Sequence, residues 1–423
     1  MPGSNAIFER SFSGNYPVVL ARQMQFQAIK TMLWGKWAKF NTPGSVPVKP
    51  GNDPMPVDSP VVIHYELSRR AGDLIEIPMH RNLVKLPRIG KEQMAGHEEE
   101  PKVNFLQLPV ELTRHAETPQ DTTISTQVAK DLRLLDNTKP ALQRHYARMM
   151  NYLLCSFSIY NGYSWNVLAS ARWSGDSKIA KASHPHVYIS GRGKVSYTTY
   201  GYPGNTAYEN GIATELDLLG AGDVFDTNFL TGLKADPSIQ KIPPIIMKDG
   251  NSLRLIIAHP WQIASLEADA AFREVTAAAM AQSYAKNNPY LVGAKYIWGG
   301  FAIFENDTAV FQVSTASSLP VWGPSSVQLS SITGDLDSFE SYGSATKFGA
   351  IILGSNALGL ALADRMGFKK RVDDYDELIG IAYRQIVGGG RADFWNREDG
   401  STGQHLVNES SAVCVTREVA PSY

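Results

Sequence analysis

Apolar residues recur along this chain with two different periods. Over "KPALQRHYARMMNYLLCSFSIYNG" (139–162), Leu142, Tyr146, Met149, Leu153, Phe157 and Tyr160 return every three or four positions, the repeat of one helix face. Pro140 suits a first turn and Gly162 a stop. At about 1.5 Å per residue such a helix spans roughly 30 Å. "VVLARQMQFQAIKTMLWGKWAKF" (18–40) carries a looser version of the rhythm through Leu20, Met24, Ile29, Met32, Leu33 and Trp37, and predicts a second amphipathic helix. "VVIHYEL", "GDLIEIPM" and "VNFLQLPVEL", within residues 61–118, read as strands. Between the last two lies "RIGKEQMAGHEEEPK", charged and punctuated by glycine, so a long hairpin with a polar tip is expected. The tip has few large apolar residues of its own. Ordering it alone is costly, and a neighbouring chain beneath it would remove that cost.

The remaining punctuation divides the chain. Residues 1–17 are polar and read as an arm. Residues 41–60 hold six prolines with glycines among them, which excludes a helix or a central strand and leaves an extended connector. "SLRLIIAHP" (252–260) is a buried type of strand closed by Pro260, and the Ala-rich "WQIASLEADAAFREVTAAAMAQSYA" after it predicts one helix. "NNPYLVGAKYIWGGFAIFEN" (287–306) reads as a loop and then a strand. "LDSFESYGSATKFGAIILGSNALGLALADRM" reads as a strand and a helix, and "LIGIAYRQIVGGG" as another strand. No repeat of fixed period is present. Strands and helices mix without regular βαβ alternation, which makes the fold class α+β.

Composition narrows the function. The 423 residues suffice for two or three domains, and 43% apolar with 19% charged residues is ordinary for a globular protein. A formal net charge of -1 argues against gripping a bulk polyanion, which takes an excess of Lys and Arg. Cys155 and Cys414 are too few for a disulfide framework and fit a reducing cytoplasm; Cys155 falls in an apolar helical run and reads as a buried small hydrophobe. No cationic patch followed by a long apolar run opens the chain, and no apolar run reaches the roughly 20 residues of a membrane span.

Candidate chemistry is thin. "GAGDVFDTNFLTG" (Gly220–Gly232) is similar to a sugar-kinase catalytic loop, in which glycines open a phosphate-holding helix and an Asp takes a hydroxyl proton. Thr227 and Asn228 stand where that pattern wants Ala or Gly, and Leu218 and Leu219 where it wants small residues. His97 with Glu98, Glu99 and Glu100 lacks a second His at zinc spacing, because Pro101 holds that place. His184 and His186 are too close for most single-metal sites, and "DDYDE" (373–377) lacks the glycine of a calcium loop. "GAIILGSNALG" is not a dinucleotide fingerprint; its glycines read as a strand-to-helix turn. No catalytic, cofactor-binding or metal residue is therefore expected. The informative features are a loose arm, a proline-rich connector, a charged hairpin and one long helix, which suit a subunit that laces into its neighbours.

Four segments, in order, resemble the major capsid proteins of tailed bacteriophages, nearest the branch typified by the coliphage called N-four. They are "GDLIEIPMHRNLVKLPRIGKEQMAGHEEEPKVNF", "LRLIIAHPWQIASLEAD", "NNPYLVGAKYIWGGFAIFEN", and "GAIILGSNALGLALA" followed by "DDYDELIGIAYRQIVGGGRADF". The resemblance implies the Hong Kong 97-type fold, with residues 1–60 an N-terminal arm, 61–118 an E-loop, 119–199 a peripheral domain with spine helix 139–162, 200–365 an axial domain, and 366–423 a return to the peripheral domain. It implies hexamers and pentamers of this chain in an icosahedral head around double-stranded DNA, assembled in a host cytoplasm, with no membrane, no sequence-specific DNA binding and no cofactor. Portal, scaffold and decoration proteins are further candidate partners. At the E-loop, Arg88, Lys91 and Lys102 with Glu98, Glu99 and Glu100 would make ionic contacts between subunits, and Leu83, Leu86 and Met94 would supply adhesion. Two other readings stay open: a phosphotransferase using Asp223, and the shell of a non-viral compartment with the same fold.

Overall fold

The structure is a computed structural model that describes residues 34, 38–41, 59–65, 74–80, 103–117, 134–160, 186–195, 206–246, 252–274, 295–306, 311–314, 321–322, 346–362, 367–373, 378–396, 405–408 and 410–418. Strands are numbered in chain order. A seven-stranded sheet contains β1 (Ala38–Asn41), β2 (Val61–Tyr65), β3 (Leu74–His80), β4 (Val103–Glu117), β14 (Leu358–Leu362), β15 (Gly367–Asp373) and β16 (Leu378–Arg391), in the order β1-β2-β14-β16-β4-β3 with β15 also on β16. A ten-stranded sheet contains β5 (Val187–Ile189), β6 (Gly193–Lys194), β7 (Ile245–Ile246), β8 (Ser252–Ala258), β9 (Tyr296–Trp298), β10 (Phe301–Glu305), β11 (Phe311–Ser314), β12 (Val321–Trp322), β13 (Lys347–Leu353) and β19 (Ser411–Arg417), with β13 and β8 near its centre. β17 (Asp393–Asn396) and β18 (His405–Asn408) form a separate hairpin. The described helices are α1 (Leu134–Tyr160), α2 (Thr206–Asp217), α3 (Thr227–Ala235), α4 (Pro237–Lys241) and α5 (Pro260–Ala268).

The ten-stranded sheet is buried on both faces, which is why its central strands are continuous apolar runs rather than alternations. Leu255, Ile257, Ile351, Leu353, Val413 and Val415 point into one cluster, shared with α1, α2 and the seven-stranded sheet. Ile256, Ala258, Ala350, Ile352, Ala412 and Cys414 point into a second, closed by Leu230 and Leu233 of α3 and Ile263 and Leu266 of α5. Both cysteines are buried free thiols.

The long helix is present, and Leu142, Tyr146, Met149, Leu153 and Phe157 form its buried stripe as the spacing requires. It begins at Leu134 rather than at Pro140. Pro140 is exposed near the helix start, where its missing N–H removes a single intrahelical bond. The expected hairpin also forms: β3 and β4 pair antiparallel from Leu74↔Pro109 to His80↔Val103.

Four expectations are corrected. Residues 358–362 are not helical: Leu358–Leu362 is a strand, wholly buried, between β2 and β16. A short unbroken apolar run carries no period that separates strand from helix, and here two available edges decide it. Residues 38–40, the expected end of an N-terminal helix, belong instead to the strand Ala38–Asn41, parallel to β2; most of residues 18–37 lie outside the described residues. The helix expected from Trp261 stops at Asp269, whose carboxylate accepts from Ala271 N at 3.0 Å and starts a new turn. Residues 296–305 form a hairpin rather than one strand, because Gly299 and Gly300 adopt φ of 56° and 94° between β9 and β10.

Helix α1 lies against β16 at Gly389, where a side chain would intrude. A Cβ on Gly389 would overlap the Phe157 ring and stand 3.0 Å from the Gly359 carbonyl oxygen. Gly389→Ala is therefore expected to cost about 1–3 kcal/mol in urea unfolding of the isolated subunit. Adding Phe157→Leu should return part of that loss, and an unchanged urea midpoint in Gly389→Ala would contradict this packing.

Candidate inter-subunit surface

The kinase-like loop is a closed structural turn. Gly220 N donates to Asp223 Oδ2 at 2.7 Å, Asp223 N donates to Gly220 O at 3.2 Å, and Arg417 N donates to Asp223 O at 2.9 Å. The carboxylate also fills the space beside Gly191, whose φ of +71° and lack of a Cβ allow the approach. The helix start beyond it is taken by acids. Phe229 N donates to Asp226 Oδ1 at 2.7 Å, while Thr227 N and Oγ1 donate to Asp269 Oδ2 at 3.0 and 2.5 Å. The bonds from Thr227 hold the Asp269 carboxyl below its usual range. A phosphate brought here would meet two negative charges and N–H groups already used. The phosphotransferase reading of Asp223 is thus corrected.

A different surface emerges where β4 meets β16. The register sets Arg114 opposite Arg384, His115 opposite Tyr383 and Thr113 opposite Gln385. Strand alternation then sorts them. Tyr383 and Gln385 are buried under α1, where Tyr146 OH donates to Gln385 Oε1 and Thr113 Oγ1 donates to the Gln385 carbonyl at 3.0 Å. The His115 and His145 rings stack with centroids 3.7 Å apart, and His145 Nδ1 lies 3.2 Å from Tyr383 OH. Burial, then the positive charges of His115 and Arg148, depress the His145 pKa to about 4, so the stacked ring is neutral. Burial raises the Tyr383 hydroxyl. Arg114 and Arg384 are exposed. Beside them Leu112, Arg114, His115, Ala116, Ala382, Tyr383 and Arg384 line a concavity of about 450 Å³.

The residues expected to make subunit contacts, Leu83, Leu86, Arg88, Lys91, Met94, Glu98, Glu99, Glu100 and Lys102, lie outside the described residues. The arginine pair was not anticipated from the sequence. Its one trace there is an Arg at the centre of each of two alternating stretches, Leu112–Ala116 and Ala382–Ile386, and only strand register brings them together. Among the described residues no group of three or more His, Cys, Asp and Glu side chains could hold a metal ion, and no helix is long and apolar enough to cross a membrane.

The fold has recognisable relatives. The capsid of Ralstonia phage GP4 superposes with a TM-score of 0.56 at 16% identity over 86% of this chain and 89% of that one. The Cyanophage Pam1 capsid gives 0.52 at 15% identity over 84% and 88%, and the head structure of Helicobacter pylori bacteriophage KHP40 gives 0.52 at 11% over 86% and 88%. No curated protein matches the sequence significantly. A family model described as phage capsid protein matches residues 52–420. The chain belongs to the phage capsid protein family.

A capsid protein is a structural subunit of the phage head, assembled from many copies, and its place is the virion. What it must resist is disruption, and one buried network bears on that. Glu418 accepts from Phe225 N at 3.2 Å, from Thr416 Oγ1 at 2.6 Å and from Ser265 Oγ, and burial raises its carboxyl pKa. Gln262 donates to Thr416 Oγ1 at 2.8 Å and to the Phe348 carbonyl at 3.1 Å, and accepts from His259 N at 3.1 Å. His259 caps α5: its Nδ1 accepts from Trp261 N at 3.3 Å, and its ring stacks on Phe348. Burial lowers the His259 pKa to about 4. The folded state therefore binds fewer protons than the unfolded chain between pH 6.5 and about 4, so this contribution is complete above pH 6.5 and is lost as pH falls towards 4. His259→Asn keeps a capping oxygen but cannot titrate. The gap in unfolding free energy between the parent and this variant should shift in the variant's favour by about 2–3 kcal/mol between pH 7 and pH 4, measured by denaturant titration. Glu418 is present in both chains and cancels. A pH-independent gap would disprove the assignment.

Proposed function

We propose that copies of this chain close as hexamers and pentamers into an icosahedral head that encloses double-stranded DNA, and that residues 81–102 bridge neighbouring copies. The observation that carries the reading is the β3–β4 hairpin, whose charged connecting segment is continuous with a strand fixed in the core sheet. Obligate interfaces of this kind bury about 2,000–5,000 Å². Leu83, Leu86 and Met94 supply adhesion. Arg88, Lys91, Lys102 and Glu98–Glu100 set register, since rim ion pairs are worth about 0–1 kcal/mol each. In this reading residues 1–60 form the arm, 61–118 the E-loop, 119–199 and 366–423 a peripheral domain, and 200–365 an axial domain. The near-neutral chain confines DNA without gripping it. Assembly takes place in the host cytoplasm, with portal, scaffold and decoration proteins as further partners.

Deleting residues 85–102 tests the reading. The subunit should keep its circular dichroism and melting behaviour, while sedimentation and negative-stain microscopy find no shells or fragile ones. Normal, equally stable shells from the deletion would overturn it. Nuclease-protected DNA inside the parent particles is the second expected result, and protein cargo in its place would point to a compartment shell.

A further inference from the structure

The structure assigns the Arg114–Arg384 pair as the docking surface for the acidic tract Glu98–Glu100 of a second copy of this chain. The inference rests on the reading of residues 81–102 as a bridging segment, and names what that segment meets.

The pair is anomalous as it stands. Two like charges directly opposite on adjacent antiparallel strands destabilise the ladder. Both arginines are exposed, and neither has an ion pair or hydrogen bond among the described residues. An anion between them would remove the repulsion. Guanidinium groups bind carboxylates through paired N–H bonds, so two of them present a site for more than one carboxylate.

The surroundings select the kind of anion. The concavity beside the pair has Leu112, Ala116 and Ala382 in its lining, which alternate onto the same face as the arginines, and Leu112 is 41% exposed. An apolar floor with a cationic rim suits an acidic peptide that also carries apolar side chains. A phosphodiester chain would leave that floor uncovered. The segment with Met94 followed by Glu98, Glu99 and Glu100 has the required composition.

Covalent geometry excludes the tract of the same chain. β4 is one continuous strand from Val103, and Arg114 lies eleven residues along it. At about 3.3 Å per residue, that separation is roughly 36 Å. Glu98 is five residues before Val103, so even doubled back and fully extended its backbone reaches about 18 Å. Side-chain lengths do not close the difference, and Glu99 and Glu100 have shorter tethers still. The carboxylates must come from another copy.

Charge reversal supplies the first test. R114E/R384E should lower the yield of sedimenting shells about tenfold or more, with subunit circular dichroism unchanged. Adding E98R/E99R/E100R to the same chain should restore shells. Reversed arginines that assemble at parent yield, or a tract reversal that assembles normally on its own, would overturn the assignment. A milder variant covers misfolding: R114K/R384K retains both charges. Carbodiimide treatment of its shells should join the introduced lysines to the peptide holding Glu98–Glu100. In shells made from mixed light- and heavy-isotope chains, the joined peptides should come from different chains. Cross-links only to other peptides, or only within one isotope, would also overturn it. Should deletion of 85–102 abolish shells while the cross-links fall elsewhere, the bridging role stands and this docking surface fails.

Discussion

The rest of the molecule depends on the ladder between β4 and β16. β4 is 15 residues long and divides its partners: Val103–Pro109 pairs with β3, and Val110–Glu117 pairs with β16. The first half is a hairpin arm and the second half is its root. β16 carries three other loads. It pairs with β14 and β15, and its glycines receive α1. The β3–β4 arm is therefore joined to the core sheet through a single strand, and a slip by one residue would turn every side chain of the root to the opposite face. Tyr383 and Gln385, buried under α1, fix the register against that slip.

Register explains why the two faces of this ladder differ so sharply in charge. Beneath α1 Gln385 accepts from Tyr146 and Thr113, and His145 is kept neutral by burial and by its cationic neighbours. On the open face the same alternation sets two arginines opposite each other, with no ion pair or hydrogen bond to either among the described residues. On the docking proposal, the acidic tract of a second copy completes this surface. The loop around Asp223 makes the contrast: there the carboxylate turns inward onto Gly220 N, and Arg417 N holds the Asp223 carbonyl.

What could be read from the sequence follows the range of the forces involved. The α1 stripe and the β3–β4 hairpin were legible because local alternation and turn residues specify them. Leu358–Leu362 was read as helix because five consecutive buried residues carry no period, and the β2 and β16 residues that pair with it lie almost 300 residues upstream and about 25 to 33 residues downstream. The break at Asp269 was missed because Ala-rich sequence favours helix throughout, while the carboxylate is held by Thr227, on another helix. The arginine pair was invisible for the same reason. Neither Arg114 nor Arg384 is unusual in its own stretch, and only the non-local register makes them neighbours. The phage-capsid resemblance was legible because it rests on the order of several segments, and order survives where identity to the solved capsids is 16% or lower.

The separation of acidic tract and arginine pair has a consequence for symmetry. In the proposed contact the tract of one copy meets the arginines of another, and two arrangements satisfy it: a two-fold pairing, which stops at a dimer, and a head-to-tail one, which leaves one of each surface free. Head-to-tail contacts of this kind propagate until a ring closes, and the closing number is set by the angle between copies rather than by the chemistry of the contact. On the proposal that this chain closes as both hexamers and pentamers, one pair of surfaces would serve both rings through a small change of that angle.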